Sequence, residues 1–222
     1  MSLSLREALC AASRTLERVG LNCGTAGNLS VRVAGGFLVT PSGVKPARLT
    51  PAAIVAMALD GKLADPSQRP SSEWRFHRDI YAARPDASAV AHVHSPYATA
   101  LACQRRDIPA FHYMIAKAGG SSIRCSAYAT FGTQALSDVA LAALEGRRAC
   151  LLANHGMIAL GADLERAVDL TVEVEELARQ YALALMCGAP VLLSASEMRD
   201  ALQRFKTYGA SDGQEQTSPG GG

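Results

Sequence analysis

The segment SAVAHVHSP, residues 88–96, carries two structural signals in nine positions. Its first seven residues form an apolar run that reads as a strand. Its last two, Ser95-Pro96, read as a helix start with proline at the first helical position. A strand that passes straight into a helix is the building unit of a layered α/β domain. Side chains alternate across a strand, so His92 and His94 leave the same face with Cα atoms about 6–7 Å apart, while Val93 turns the other way. A lone histidine on an apolar strand is commonly a satisfied core residue. Two neighbouring buried imidazoles are harder to satisfy without a ligand.

Outward from this strand, hairpins mix with helices. Residues 3–19 place Leu5, Leu9, Ala12, Leu16 and Val19 at helical spacing, and Gly20 stops the helix. A glycine-rich turn, Cys23 to Asn28, leads to SVRV and FLVT, which flank Gly35-Gly36 as a β-hairpin. Thr50-Pro51 opens a short helix, VAMALDGKL reads as a strand and its turn, and Ser71 or Ser72 caps a helix that Pro85 ends near Arg84. Beyond the 88–96 segment, Thr133 to Leu144 is helical, ACLLA is a buried strand and MIAL a short one. Asp163 caps a long amphipathic helix to about Cys187, and Ser194 with Glu197 forms a capping box for a last helix ending at Tyr208-Gly209. The pattern predicts an α/β domain whose sheet is largely antiparallel.

Length and composition narrow the function classes. The chain has 222 residues, 49% of them hydrophobic, and no interior linker, which fits one domain. A formal net charge of +2 with no basic run argues against a nucleic-acid partner. No apolar stretch approaches the roughly 20 residues that span a bilayer, so no membrane partner is expected. Arg6 and Glu7 stand where a signal peptide needs its apolar centre, so a cytoplasmic protein is expected. The six cysteines form no CxxC pair and are read as reduced, mostly buried thiols. The polar, Gly-rich tail from Ala210 is expected to be disordered.

The histidine pair needs a third ligand, because catalytic zinc takes three protein ligands and keeps one position open. His155 is the best candidate: it lies in the turn after ACLLAN, where Gly156 lets the backbone turn without a side-chain clash. His77 and His112 are less suited. Glu73, in the first turn of the helix that starts at SSEW, is either a carboxylate favoured by the helix dipole or a base near the metal. Ser71 and Ser72 before it offer an anion-binding helix N-terminus. The turns GTAGN and TPSG expose amides and short polar side chains that suit a phosphate, and neither matches a P-loop or a Rossmann fingerprint.

Taken together, GTAGNLSVR (24–32), TPSG (40–43), SSEWRFHRDIY (71–81), AHVHSPYATA (91–100), HYMIAKAGG (112–120), YATFGT (128–133), ANHGMIA (153–159) and FKTYG (205–209) resemble the class II aldolase and adducin family, and within it the L-fuculose-1-phosphate aldolases. The resemblance implies a single-domain three-layer α/β/α sandwich over residues 1–209, followed by the tail 210–222. It implies His92, His94 and His155 as zinc ligands, with Co²⁺, Mn²⁺ or Fe²⁺ as other occupants of such a site. Glu73 matches the catalytic carboxylate, which can also reach the metal. Asn28, Ser42, Gly43, Ser71 and Ser72 match the phosphate pocket. Tyr113 matches a catalytic tyrosine contributed by a neighbouring subunit of a C4 homotetramer, and Phe131 and Tyr208 match the aldehyde end of the pocket.

The implied reaction is retro-aldol cleavage of L-fuculose 1-phosphate, or a similar deoxyketose 1-phosphate, to dihydroxyacetone phosphate and a small aldehyde such as L-lactaldehyde. Alternatives are 5-deoxyribulose or 5-methylthioribulose 1-phosphate as substrate, or an epimerase, dehydratase or decarboxylase on the same fold. The pentulose-phosphate 4-epimerases resemble this chain but carry aspartate at the position of Glu73. The non-catalytic adducin branch loses the histidines that are present here. A lysine Schiff base is disfavoured, since the four lysines, Lys45, Lys62, Lys117 and Lys206, compete with a complete metal constellation. Cys23 departs from the glutamine of the fuculose aldolases, and the segment 184–196 departs in detail, so aldehyde preference transfers least.

Overall fold

The computed structural model describes residues 2–207. The element order is α1 (Ser2–Arg18), β1 (Asn28–Val33), β2 (Gly36–Val39), β3 (Val55–Ala58), α2 (Trp74–Ala83), β4 (Ala89–Val93), α3 (Pro96–Cys103), β5 (Arg124–Cys125), α4 (Gln134–Leu144), β6 (Ala149–Leu152), β7 (Gly156–Gly161), α5 (Leu164–Cys187) and α6 (Ala195–Thr207). Seven strands form one sheet in the order β3-β2-β1-β4-β7-β6-β5. Every pairing is antiparallel except the short β5–β6 pair, which is parallel.

Both sheet faces are covered, which is why β2, β4, β6 and β7 read as mostly continuous apolar runs, whereas β1 alternates Leu29, Val31 and Val33 with Asn28, Ser30 and Arg32. Ala89, Ala91 and Val93 of β4, Leu151 of β6, and Met157 and Ala159 of β7 enter the core beneath α1, α3 and α5. Val90 of β4, Cys150 and Leu152 of β6, and Ile158 and Leu160 of β7 enter the opposite core beneath α2 and α4. This period-two division makes the three-layer α/β/α sandwich expected from the sequence. At ~25 cal/mol per Å² of apolar surface, each Leu or Ile removed from water on either face stabilises the fold by about 1.5–3 kcal/mol. His92 falls on the same face as Val90, under α2, and is fully buried.

Several local readings hold. Asp163 accepts from Arg166 N, and Thr133 accepts from Leu136 N, as N-caps do. Ser194 Oγ accepts from Glu197 N while Glu197 Oε2 accepts from Ser194 N, completing the capping box. Others need correction. The α2 cap is Glu73, not Ser71 or Ser72, and its carboxylate makes no cap hydrogen bond because it turns inward to the histidines. β4 stops at Val93, so His94 lies just past the strand, with its N–H donated to Asn22 Oδ1. Cys10 and Cys150 are buried, but Cys23, Cys103 and Cys187 are exposed; Cys103 and Cys187 sit at helix ends, where packing runs out. No described helix is long and apolar enough to cross a membrane. Tyr208 and the tail 210–222 lie outside the described residues.

Candidate active site

β4 and the turn between β6 and β7 bring three imidazoles together. The ring centroids of His92, His94 and His155 are 4.7–4.9 Å apart, and their ligating nitrogens all lie within 4.8 Å of one another. His92 Nδ1 donates to Met157 O at 2.9 Å, across the β4–β7 ladder, so Nε2 is the ring nitrogen that faces the cluster. His92 Nε2 is 3.0 Å from His94 Nε2 and 3.1 Å from Glu73 Oε2. His155 Nε2 is 3.2 Å from Glu73 Oε1.

The turn that carries His155 is tightly held. Asn154 sits at φ +55°, in the left-handed region where asparagine is tolerated better than most residues. Its N–H donates to Ala102 O and its side-chain Nδ2 to Cys103 O, so the last turn of α3 clamps it. A Cβ at Gly156 would run into the carbonyl of Val93 and the ring of His94. At the other end, α3 begins directly after His94 and Ser95. The buried Glu175 of α5 accepts there from Ser95 Oγ, Tyr97 N and Ala98 N. One short helix therefore links the segments bearing His94 and His155.

Burial and the attraction between His92 and Glu73 together set the protonation states. His94 is pushed down to about 4, first by desolvation and then by His92 and His155. His155 is likewise pushed down to about 4 by desolvation and by His92. Both are neutral at pH 7 and keep a lone pair for a cation. Burial also opposes charge on His92 and on Glu73, but their mutual attraction outweighs it. His92 is held above its ordinary value and the Glu73 carboxyl well below the carboxylate range, with His155 and the Asn28 amide adding to the latter.

The residues fit a divalent cation. Glu73 Oε1 is buried and has no hydrogen-bond partner, although it points at His155. An orphaned carboxylate oxygen beside three converging imidazole nitrogens is a costly arrangement unless a positive centre satisfies it. Nitrogen-rich ligation suits zinc and its first-row neighbours and does not choose among them.

A cavity of about 300 Å³ opens above the cluster. Of the residues expected from the sequence, Asn28, Ser42, Gly43, Ser71, Ser72, Glu73, His94, His155 and Phe131 all line it. The TPSG and SSEW loops meet because Ser42 N donates to Arg69 O and Ser71 N to Thr40 O. Asn28 is partly committed: its Nδ2 donates to Glu73 Oε2 at 2.9 Å and its Oδ1 meets His77 Nε2. Tyr113 does not line the cavity of its own chain; it is 54% exposed and stacks on Phe205. Among the described residues, no lysine lines the cavity. Thr25, Tyr128 and Asn154 also line it; all three lie within the motifs, but no metal-ligand or acid–base pattern marks them in the sequence.

Comparison with known proteins agrees with this geometry. Residues 7–182 match the family described as the class II aldolase and adducin N-terminal domain. The chain is 57% identical over 207 residues, 93% of each chain, to the 5-methylthioribulose-1-phosphate/5-deoxyribulose-1-phosphate aldolase of Rhodospirillum rubrum. It is 50% identical over 195 residues, 87% of this chain and 90% of the other, to the L-fuculose phosphate aldolase of Escherichia coli strain K12. A solved L-fuculose 1-phosphate aldolase superposes with a TM-score of 0.89 at 41% identity, over 91% of this chain and 96% of the other. The chain thus belongs to the class II aldolase and adducin family and is one of its aldolases, lyases that break a carbon–carbon bond.

Proposed function

We propose that this aldolase splits 5-deoxyribulose 1-phosphate and 5-methylthioribulose 1-phosphate to dihydroxyacetone phosphate and acetaldehyde or its methylthio derivative. L-Fuculose 1-phosphate, the first expectation from the motifs, becomes the second substrate in rank. The reordering is supported by the 57% identity to a relative named for the two 5-substituted ribulose phosphates, against 50% to the fuculose enzyme. The observation that carries the chemistry is the orphaned Glu73 oxygen at the mouth of the histidine cluster.

His92, His94 and His155 would hold a divalent cation, with Zn²⁺ preferred. When bound, it supplies Lewis-acid stabilisation of the negative charge that develops on oxygen. Ser42, Gly43, Ser71 and Ser72, around the start of α2, bind the phosphate at the helix N-terminus. The remaining Asn28 N–H contributes to the same pocket. Glu73 moves the proton at the carbon that becomes the methylene of dihydroxyacetone phosphate. Tyr113 takes the proton of the C4 hydroxyl as the C3–C4 bond breaks. Its exposure, and its absence from the cavity of its own chain, support delivery from an adjacent copy in a C4 homotetramer. Phe131 bounds the aldehyde end, the role that the motif FKTYG assigns to Tyr208 as well. A cytoplasmic setting and the domain limits 1–209 belong to the same proposal.

The test is a panel of ketose 1-phosphates offered to purified protein of measured metal content, with dihydroxyacetone phosphate release followed by a coupled reductase. Cleavage of the two 5-substituted ribulose phosphates faster than of L-fuculose 1-phosphate is expected, as is loss of turnover on chelation with recovery on adding Zn²⁺ or Co²⁺. A reversed substrate order refutes the substrate assignment. Full turnover without metal refutes the role of the histidine cluster.

A further inference from the structure

Beneath Glu73, between β1 and α2, runs a buried file of polar side chains. Tyr81 OH is 2.7 Å from Ser30 Oγ, and Ser30 Oγ is 2.6 Å from His77 Nδ1. His77 Nε2 is 2.5 Å from Asn28 Oδ1, and Asn28 Nδ2 is 2.9 Å from Glu73 Oε2. Ser30 and His77 are fully buried and the other three nearly so. Two periodicities create the file. Glu73, His77 and Tyr81 recur every four residues along one side of α2 and its cap. Asn28 and Ser30 alternate onto the facing side of β1.

The donor inventory gives the file one direction. A carboxylate only accepts, so Asn28 turns its N–H towards Glu73 and its Oδ1 towards His77. His77 then carries its proton on Nε2 and accepts at Nδ1 from the Ser30 hydroxyl, which accepts from Tyr81. Burial, and next to it His92, push His77 down to about 3, so the imidazole is neutral, as this tautomer requires. Each donor along the file points towards Glu73.

We propose that His77 is a positioning residue for aldol cleavage: through Asn28 it fixes the Glu73 carboxylate, holding Oε2 and leaving Oε1 turned to His155 and the substrate space. The proposal rests on the reading of Glu73 as the proton-transfer group. Without the His77 N–H, Asn28 Oδ1 is buried and unpaired, its amide is free to turn, and the carboxylate loses its fixed donor.

The experiment uses His77→Phe and His77→Gln in the full-length, metal-loaded protein, with 5-deoxyribulose 1-phosphate and L-fuculose 1-phosphate as substrates. His77→Phe is expected to keep its metal content and to lose about 10–100-fold in kcat, with KM changed less than about threefold. Its substrate-free Co²⁺ form is expected to show an altered visible spectrum. His77→Gln, which keeps an N–H near the Nε2 position, is expected to recover most of the rate and the parental spectrum. In a Glu73→Gln background, His77→Phe is expected to cost nothing further, because residues that act as a unit are non-additive. If His77→Phe does not fold, Ser30→Ala and Tyr81→Phe each remove one hydroxyl from the file. Each is expected to lower kcat by a smaller factor, again only when Glu73 is present.

Parental kcat in the folded variants, or an equal loss with and without Glu73, overturns the positioning role. Glu73→Gln cleaving at the parental rate overturns instead the acid–base reading on which it rests.

Discussion

Two buried glutamates, Glu73 and Glu175, lie near the histidine cluster and live in opposite circumstances. Glu175 is fully used: both oxygens accept, from Ser95 Oγ and from the backbone N–H groups of Tyr97 and Ala98 at the start of α3. Glu73 has one oxygen held by Asn28 and His92, while the other, 3.2 Å from His155 Nε2, makes no hydrogen bond. A carboxylate with both oxygens committed to the fold serves as a cap. A carboxylate left half-committed in a cavity is available for chemistry. Burial alone does not separate the two, since they are 6% and 8% exposed.

Three substitutions can break this contrast. Glu73→Gln carries the largest expected effect: about 10²–10⁴-fold lower kcat, the usual contribution of a positioned acid–base group, with metal content and melting temperature near parental. Steady-state kinetics beside metal analysis check it, and near-normal turnover would make Glu73 structural like its counterpart. Glu175→Ala is expected to act on stability instead. Three donors lose their acceptor, at a cost of about 2–4 kcal/mol in denaturant unfolding, with turnover of the folded fraction changed far less than by Glu73→Gln. If turnover falls as steeply as for Glu73→Gln while the fold stays intact, the division between cap and catalyst fails. Glu173 sharpens the scale at its lower end. It pairs with the partly exposed Lys117 at 2.8 Å, and Glu173→Ala is expected to cost less than about 1 kcal/mol with unchanged kinetics.

The layers were legible because hairpin signals and helix starts and stops alternate along the chain, and the apolar runs of β4 and β6 stand out between them. What stayed hidden came from partners distant in the chain. The turn Tyr113–Ala118 is a 3₁₀ helix without a strong local period, and β5 is only two residues long, defined by its parallel neighbour β6. The metal cluster was visible as HVH plus NHG. The hydrogen bonds that aim it were not, since Asn22 reaches across 72 residues to His94, and Glu175 across 80 to Ser95. From the sequence, His77 reads as a poorer ligand than His155. Its spacing from Glu73 and Tyr81, matched to Asn28 and Ser30, was readable, but pairing the two stripes needed the register of β1 under α2.

The eight residues of α3 act as a gauge between the two histidine-bearing segments. At 1.5 Å and about 100° per residue, inserting or deleting one residue there would shift and twist the far end relative to the near end. Neither Glu175 nor Asn154 could then hold its own terminus without releasing the other. Only one helix length keeps both ends anchored, so a substitution along it is easier to accommodate than a change in its residue number.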